Sequence, residues 1–189
     1  MNRALSAAAV AFLLLLGPAC GKDDDKNPVA PEPPPTPTYP LLSAPESALV
    51  ALRLSYERRD SLAYRSCFAI DYQGTSYDTS ETPGYQPASF TRIDEERHIR
   101  SLAENPNITV VTLDLGVPAS WSRSTAAGDP GEDWALISVR NPLVEITEGD
   151  NTSEVTANET FEFLFRPTTP APTSPTDTLW HIVRWTELP

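Results

Sequence analysis

The chain has 189 residues and a formal charge of −12, because 26 acidic side chains outnumber 14 basic ones. Such a negative protein repels phosphate backbones, and the sequence has no local basic patch, so nucleic-acid binding is excluded. Hydrophobic residues make up 40% of the chain, which suffices for one globular core, whereas 2 cysteines cannot form a disulfide framework. The composition therefore predicts one folded domain with additional segments.

Residues 1–19 have the pattern of a secretory signal peptide. Arg3 supplies a positive charge, and residues 4–16 form an apolar run. This run is too short to cross a hydrocarbon core of about 30 Å as a helix, so we expect it to be cleaved.

The end of this segment, Ala19 followed by Cys20, resembles the cleavage site of bacterial lipoprotein precursors, although Gly17 stands where those precursors usually have Leu. The resemblance implies that Cys20 is lipidated and becomes the mature N-terminus. The protein would then be lipid-anchored to a membrane of the bacterial cell envelope and would face outward. An ordinary secretory signal with an incidental Cys is the alternative.

Residues 20–40 are predicted to form a disordered tether. Pro accounts for 7 of the 14 residues from 27 to 40. Such a segment favours extended polyproline II conformations of about 3.1 Å per residue, so it would act as a spacer. The folded domain is therefore expected at residues 41–189.

Three helices are predicted in the first half of this domain. The first follows a capping box of Ser43 and Glu46 and continues to about residue 59. Asp60 can cap a shorter helix over residues 61–69, so the two helices would form a hairpin. The third helix is expected over residues 91–104.

The second half of the domain is predicted to form strands. Residues rich in β-branched and aromatic side chains indicate four strands, at 108–117, 134–146, 160–166 and 179–185. One earlier strand is expected between residues 71 and 87, and residues 122–133 are predicted to be an exposed loop. Short links between successive strands cannot carry parallel crossovers, so the fold class is predicted as α+β with helices on an antiparallel sheet. Which face of the last strand is interior stays open.

The order of helix, helix, strand, helix and several strands resembles the NTF2-like, or SnoaL-like, domains. The stretches that carry the resemblance are residues 45–46, 56–60, 67–69, 94–96 and 179–185. The resemblance implies a curved antiparallel sheet wrapped around the first helix, a cystatin-like cone with a pocket at its open end. Members of this family include binding and accessory modules as well as isomerases, dehydratases and cyclases.

Ketosteroid isomerases of this family use an Asp and a Tyr for proton transfer. An alignment without gaps puts Leu52 at the position of that Tyr and Ser76 at the position of that Asp. The nearest substitutes are Tyr56, one helical turn further on, and Asp78, which would share a strand face with Ser76. We therefore assign no catalytic residue. An envelope enzyme with an atypical pocket is the alternative to a non-catalytic binding module.

The cone pocket would be mostly apolar with a few polar groups, as ligand sites usually are. The candidates for its lining are Tyr56, Phe68, Asp78, Phe163 and Trp180. The aromatic candidates fit a hydrophobic core equally well. Ligands consistent with such a pocket are a small apolar molecule or a partner protein of the envelope, and an uncovered sheet face would instead favour a homodimer.

Metal and cofactor sites are not predicted. The chain has 2 His, and His98 lies one helical turn after Asp94, which favours a surface pair over a metal site. Cys67 precedes Phe68 and is predicted to be a buried, unreactive thiol.

Overall fold

The computed structural model describes residues 37–77, 87–127, 133–156, 160–168 and 178–188. The predicted signal peptide, Cys20 and Asp78 lie outside these ranges. No helix within them is long and apolar enough to cross a membrane. The elements are helices α1 Pro45–Glu57, α2 Ser61–Ser66 and α3 Arg92–Glu104, a short 3-10 helix Pro118–Ser120, and strands β1 Phe68–Ser76, β2 Ala88–Thr91, β3 Ile108–Asp114, β4 Ser122–Ala127, β5 Asp133–Arg140, β6 Leu143–Glu148, β7 Asn151–Thr156, β8 Thr160–Thr168 and β9 Leu179–Leu188.

The strands form two hydrogen-bonded sheets. One has six strands in the order β2-β1-β9-β8-β5-β4, and the other has three in the order β3-β6-β7. Neighbouring strands are antiparallel except β1 and β9, which are parallel. The predicted α+β class is confirmed, but the sheet is mixed and not purely antiparallel. β1 and β9 can run parallel because they come from opposite ends of the domain, so no short link has to join them.

Helix α1 begins one residue later than the predicted capping box implied. The cap is Ala44, whose backbone N–H donates to the Ser47 hydroxyl at 3.0 Å, and Pro45 occupies the first helical position. The predicted pair of Ser43 and Glu46 is not formed. Glu46 instead accepts a hydrogen bond from Arg123 of β4 at 2.8 Å.

Helix α2 is shorter than predicted. Its cap is confirmed, because Asp60 accepts a hydrogen bond from the Ala63 N–H at 3.0 Å. The helix ends at Ser66, and the chain enters β1 at Phe68 rather than continuing to residue 69. The Cys67 carbonyl accepts the Ile182 N–H of β9 at 2.9 Å, so pairing with the last strand replaces the final helical turn.

Two strands differ from the sequence expectation in the middle of the domain. The predicted strand over residues 134–146 is divided at Asn141, which has a φ of 53°, a left-handed conformation that Asn tolerates better than most residues. The chain leaves the six-stranded sheet there and enters the other sheet as β6. The predicted loop at residues 122–133 contains β4, a polar edge strand that pairs with β5.

A β-bulge in β9 interrupts the alternation of inward-facing and outward-facing side chains along this strand. Arg184 pairs with Leu164 and Ile182 pairs with Phe165, so Val183 is an extra residue on its strand. As a result, Ile182 and Trp185 are both buried, at 0% and 7% exposure, although they are three positions apart.

The hydrophobic core lies between helix α1 and the inward faces of the strands. Phe68 and Phe163 belong to this core and are 1% and 0% exposed, while Trp180 is partly buried against it. Tyr39 also packs against the core, and its hydroxyl donates to Asp60 at 2.8 Å. Contacts of the folded domain therefore begin within the predicted tether, before residue 41.

Candidate ligand cavity

A cavity of about 770 Å³ is lined by residues of all three helices and of strands from both sheets, and it opens to solvent. This volume falls within the range of small-molecule sites, which extends to roughly 1,000 Å³. Most of the wall is aromatic or aliphatic, with several titratable groups near α3. The apolar wall residues are Tyr56, Tyr64, Phe90, Val144, Ile146, Phe161 and Trp185, and the titratable ones are Asp94, Glu95, Arg97, His98 and Glu187.

The main polar group of the cavity is the carboxyl of Glu95 on α3. One carboxyl oxygen accepts the Tyr72 hydroxyl at 2.8 Å, and the other accepts the Tyr64 hydroxyl at 3.2 Å. Burial raises the pKa of Glu95 to about 7, and the negative charges of Glu187 and Asp94 act in the same direction, whereas the two tyrosine hydrogen bonds oppose the shift. Both the protonated and the ionised forms are therefore populated at neutral pH, which suits this carboxyl to exchange a proton or to hold a cation.

Capping at the start of α3 positions Glu95. Thr91 and Asp94 form a reciprocal capping box, in which the Thr91 N–H donates to the Asp94 carboxylate at 3.0 Å. Asp94 also pairs with Arg97 at 2.9 Å, so it does not pair with His98 as predicted. The His98 ring lies instead 3.3 Å from the Tyr56 hydroxyl, and partial burial of the ring lowers the pKa of His98.

Tyr64 and Tyr72 donate hydrogen bonds to the Glu95 carboxyl, and Tyr56 lies close enough to interact with its charge. Burial raises the pKa of all three tyrosines above the ordinary value, so their hydroxyls stay protonated. Phe68 packs between two of them. Its ring centroid lies 5.0 Å from that of Tyr64 and 4.4 Å from that of Tyr72. The core therefore fixes both hydroxyls that bind Glu95.

Gly74 makes room for this arrangement. It lies two positions after Tyr72 on β1, on the same face of the strand. A Cβ atom at this position would clash with the Tyr72 hydroxyl and lie 3.4 Å from the Glu95 carboxyl. A glycine inside a strand often marks such a close approach, and here it allows Tyr72 to reach α3.

The structure brings only some of the predicted pocket residues to the cavity. Tyr56 lines it. Phe68 and Phe163 lie in the core behind the wall, Trp180 is partly buried against that core, and Asp78 lies outside the described residues.

Sequence reasoning missed Glu95, which it treated only as part of a stretch that supports the fold. A signal was present in the helical spacing. Glu95, Ile99 and Leu102 recur at positions i, i+4 and i+7, and the last two are buried. The spacing could have marked Glu95 as inward-facing, but it does not separate it from Glu96, which is buried beside the same stripe and forms ion pairs with Arg65 and Arg100.

Other chemistry finds less support among the described residues. No group of three His, Cys, Asp or Glu side chains that could hold a metal ion occurs within them. Burial raises the pKa of the Cys67 thiol to about 12, so this thiol stays protonated and is a poor nucleophile.

No protein-family model and no curated protein matches the sequence. Solved structures that are similar include an NTF2-like protein with a cystatin-like fold from Novosphingobium aromaticivorans, at 15% identity over 75% of this chain and 77% of that chain, with a TM-score of 0.46. A ketosteroid isomerase-like protein from Erwinia carotovora atroseptica is 17% identical over 77% of this chain and 93% of that chain, with a TM-score of 0.43. An NTF2-like protein from Cytophaga hutchinsonii is 10% identical over 75% and 91% of the two chains, with a TM-score of 0.47.

These likenesses concern the fold alone. The predicted NTF2-like architecture is confirmed by the order of its elements, two helices, a strand pair, a third helix and then the remaining strands, which pack around a cavity bounded by α1 and α3.

Proposed function

We propose that this protein binds a small organic molecule in the cavity of its NTF2-like domain, while a lipid on Cys20 holds it at the bacterial cell envelope. One observation carries the binding function. The cavity has about 770 Å³ of space and mostly apolar walls, and the Glu95 carboxyl in its wall accepts hydrogen bonds from Tyr64 and Tyr72. Sites that bind small molecules combine these features, because apolar walls supply affinity and a few polar groups orient the ligand.

A non-catalytic module fits the residues better than a ketosteroid isomerase-type enzyme does. Leu52, which takes the position of the catalytic Tyr, is a core residue with 0% exposure. Ser76, which takes the position of the catalytic Asp, lines the cavity but has no carboxyl to move a proton.

Filling the cavity should abolish binding of an apolar probe. We expect the neutral dye Nile red to bind the full chain, and we expect Ile146→Trp to weaken this binding at least tenfold, about 1.4 kcal/mol, because the indole would occupy the cavity. Fluorescence titration measures the affinity. Glu145→Trp is the matched control, because neighbouring residues of a strand point to opposite faces. Equal affinity in Ile146→Trp and the unchanged chain would contradict binding in this cavity.

The anchor is proposed from the sequence of residues 1–20, which resembles a lipoprotein precursor. Metabolic labelling with an alkyne analogue of palmitate should label the full chain and Cys67→Ala, but not Cys20→Ser. Cys67 is the natural control because it is the other cysteine of the chain and is buried. Label that persists in Cys20→Ser would show that acylation occurs elsewhere, and an unlabelled chain would favour an ordinary secretory signal.

A further inference from the structure

We propose that one face of helices α2 and α3 rests on an anionic phospholipid membrane, where three arginines contact the lipid phosphates. This inference rests on the proposed function, because it needs the lipid on Cys20 to hold the domain near a membrane. The surface, called the arginine face below, is defined by Arg65 of α2 and by Arg92 and Arg100 of α3.

The arginine face is built around one buried carboxylate. Glu96 of α3 is 7% exposed, and one of its oxygens accepts a hydrogen bond from Arg65 at 2.7 Å while the other accepts one from Arg100. Both arginines stay about half exposed. Arg92, Glu96 and Arg100 recur every four residues, so they lie on one side of α3. The sequence alone does not show this cluster, because its members come from two helices and are separated by acidic residues.

Arg92 adds a charge that no carboxylate pairs with in the part of the chain that the structure describes. Its Nε–H donates to the Arg65 carbonyl at 3.1 Å, which holds the side chain beside Arg65. Burial lowers the pKa of Arg92, and the like charge of Arg65 acts in the same direction, while Glu96 opposes the shift. Three guanidinium groups thus surround one carboxylate, and the arginine face has an excess of positive charge.

The other acidic residues of α3 do not cancel this excess. Asp94 pairs with Arg97 at 2.9 Å. Glu95 lines the cavity, where tyrosine hydroxyls bind its carboxyl. Glu104 is the last residue of the helix and bounds the arginine face at that end.

Exposed aliphatic side chains lie next to these arginines. Leu62 precedes Arg65 by one turn of α2 and is 70% exposed, and Ile93 follows Arg92 on α3 and is 61% exposed. Surfaces that bind membranes combine basic groups, which attract anionic lipids, with apolar side chains that enter the interfacial layer. An acidic segment of a partner protein would use the arginines alone, so the aliphatic side chains favour a membrane.

The net charge of the protein makes one orientation favourable. The chain has a formal charge of −12, so an anionic membrane repels it as a whole. Attraction at physiological ionic strength extends over roughly 8 Å, and it therefore acts only where positive groups face the lipid. Arginine suits this contact, because its planar guanidinium donates two N–H groups to phosphate oxygens. The anchored domain should turn α2 and α3 toward the membrane.

A dye on the arginine face tests this orientation. The full lipidated chain carrying Leu62→Cys and Cys67→Ala would be labelled with acrylodan, whose emission shifts to the blue in lipid. We expect the shift in vesicles of equal parts phosphatidylcholine and phosphatidylglycerol but not in phosphatidylcholine alone, and high salt should reverse it. The same dye on Val117→Cys, an exposed position outside both helices, should report water in both vesicles. The same emission at Leu62→Cys in both vesicles, or an equal shift at Val117→Cys, would overturn the inference.

Two double variants of equal charge identify the residues responsible. Arg92→Gln with Arg100→Gln leaves Arg65 paired with Glu96 and should reduce the shift caused by phosphatidylglycerol at least twofold, to about half or less. Arg123→Gln with Arg140→Gln removes the same charge from β4 and β5 and should keep the shift. Circular dichroism verifies that both variants fold. An unchanged shift in the first variant, or an equal loss in both, would overturn the inference.

Two further outcomes separate this inference from the alternatives. If soluble polyglutamate shifts the emission and phosphatidylglycerol does not, the arginine face binds an acidic protein segment and the inference is wrong. If palmitate labels Cys20 but the dye reports water in both vesicles, the anchor stands and only this inference fails. If Cys20 carries no label, the proposed anchor fails first, and the membrane contact fails with it.

Discussion

Replacing Glu95 with Gln is expected to stabilise the protein above pH 8 by about 3 kcal/mol, because the pKa of this carboxyl is raised from 4.5 in the unfolded chain to about 7 in the folded one. The folded protein must keep an ionised carboxylate away from water at high pH. Gln has the same shape without the charge and avoids this cost.

The direction of the pH dependence follows from the raised pKa. Below pH 4.5 both states hold the proton, so Glu95 and Gln should give similar stability. As the pH rises to about 7, the unfolded chain releases the proton more readily than the folded chain, so the unchanged protein loses stability. Urea unfolding of both chains at pH 5 and pH 8 measures the difference, which should grow with pH.

Glu104→Gln is the matched control, because it removes an exposed carboxylate at the end of α3. Its effect should be small and nearly constant over the same range. If the stability of Glu95→Gln differed from that of the unchanged protein by the same amount at both pH values, the carboxyl would not titrate near neutrality.

Replacing Phe163 with Ala is expected to lower the free energy of unfolding by about 3–5 kcal/mol. Phe163 is 0% exposed and lies on β8 between Ile137 of β5 and Trp185 of β9, with its ring centroid 5.0 Å from that of Trp185. Removing the ring leaves a void in the middle of the six-stranded sheet, where rigid neighbours on both sides cannot collapse to fill it. Urea unfolding followed by tryptophan fluorescence measures the loss.

Glu162→Ala is the matched control for this substitution. Glu162 is the neighbouring residue of β8 on the opposite face of the sheet, and it is only partly buried. Its replacement should change the free energy of unfolding by no more than about 0.5 kcal/mol. A comparable loss in both variants would mean that the strand, and not the core side chain, determines the effect.

Local sequence signals predicted the helices well. Asp60 caps α2 as expected, and α3 begins and ends close to its predicted bounds. These signals are local, because a cap and its helix lie within a few residues of one another. The strands depended on partners far along the chain. Nothing in the polar sequence of β4 indicates a strand, since its structure comes from pairing with β5.

The candidate site was harder to predict than the fold for a similar reason. Tyr64, Tyr72 and Glu95 lie on three different elements, and their contact depends on how those elements pack. Tyr56 lines the cavity as predicted, whereas Phe163, also predicted for the pocket, lies in the core, because an inward-facing aromatic residue can serve either the core or a cavity. Only the packing of α3 against the sheet distinguishes these roles.

The last strand of the chain lies inside its sheet, with β1 on one side and β8 on the other. A ribosome releases the N-terminal end of a chain first, so α1, α2 and β1 emerge before β9, the strand that pairs with β1. Neither the sheet nor the cavity can be completed until Leu179–Leu188 is free. The domain therefore cannot complete its fold during synthesis until its last strand is available, and until then the edge of β1 that pairs with β9 stays unpaired.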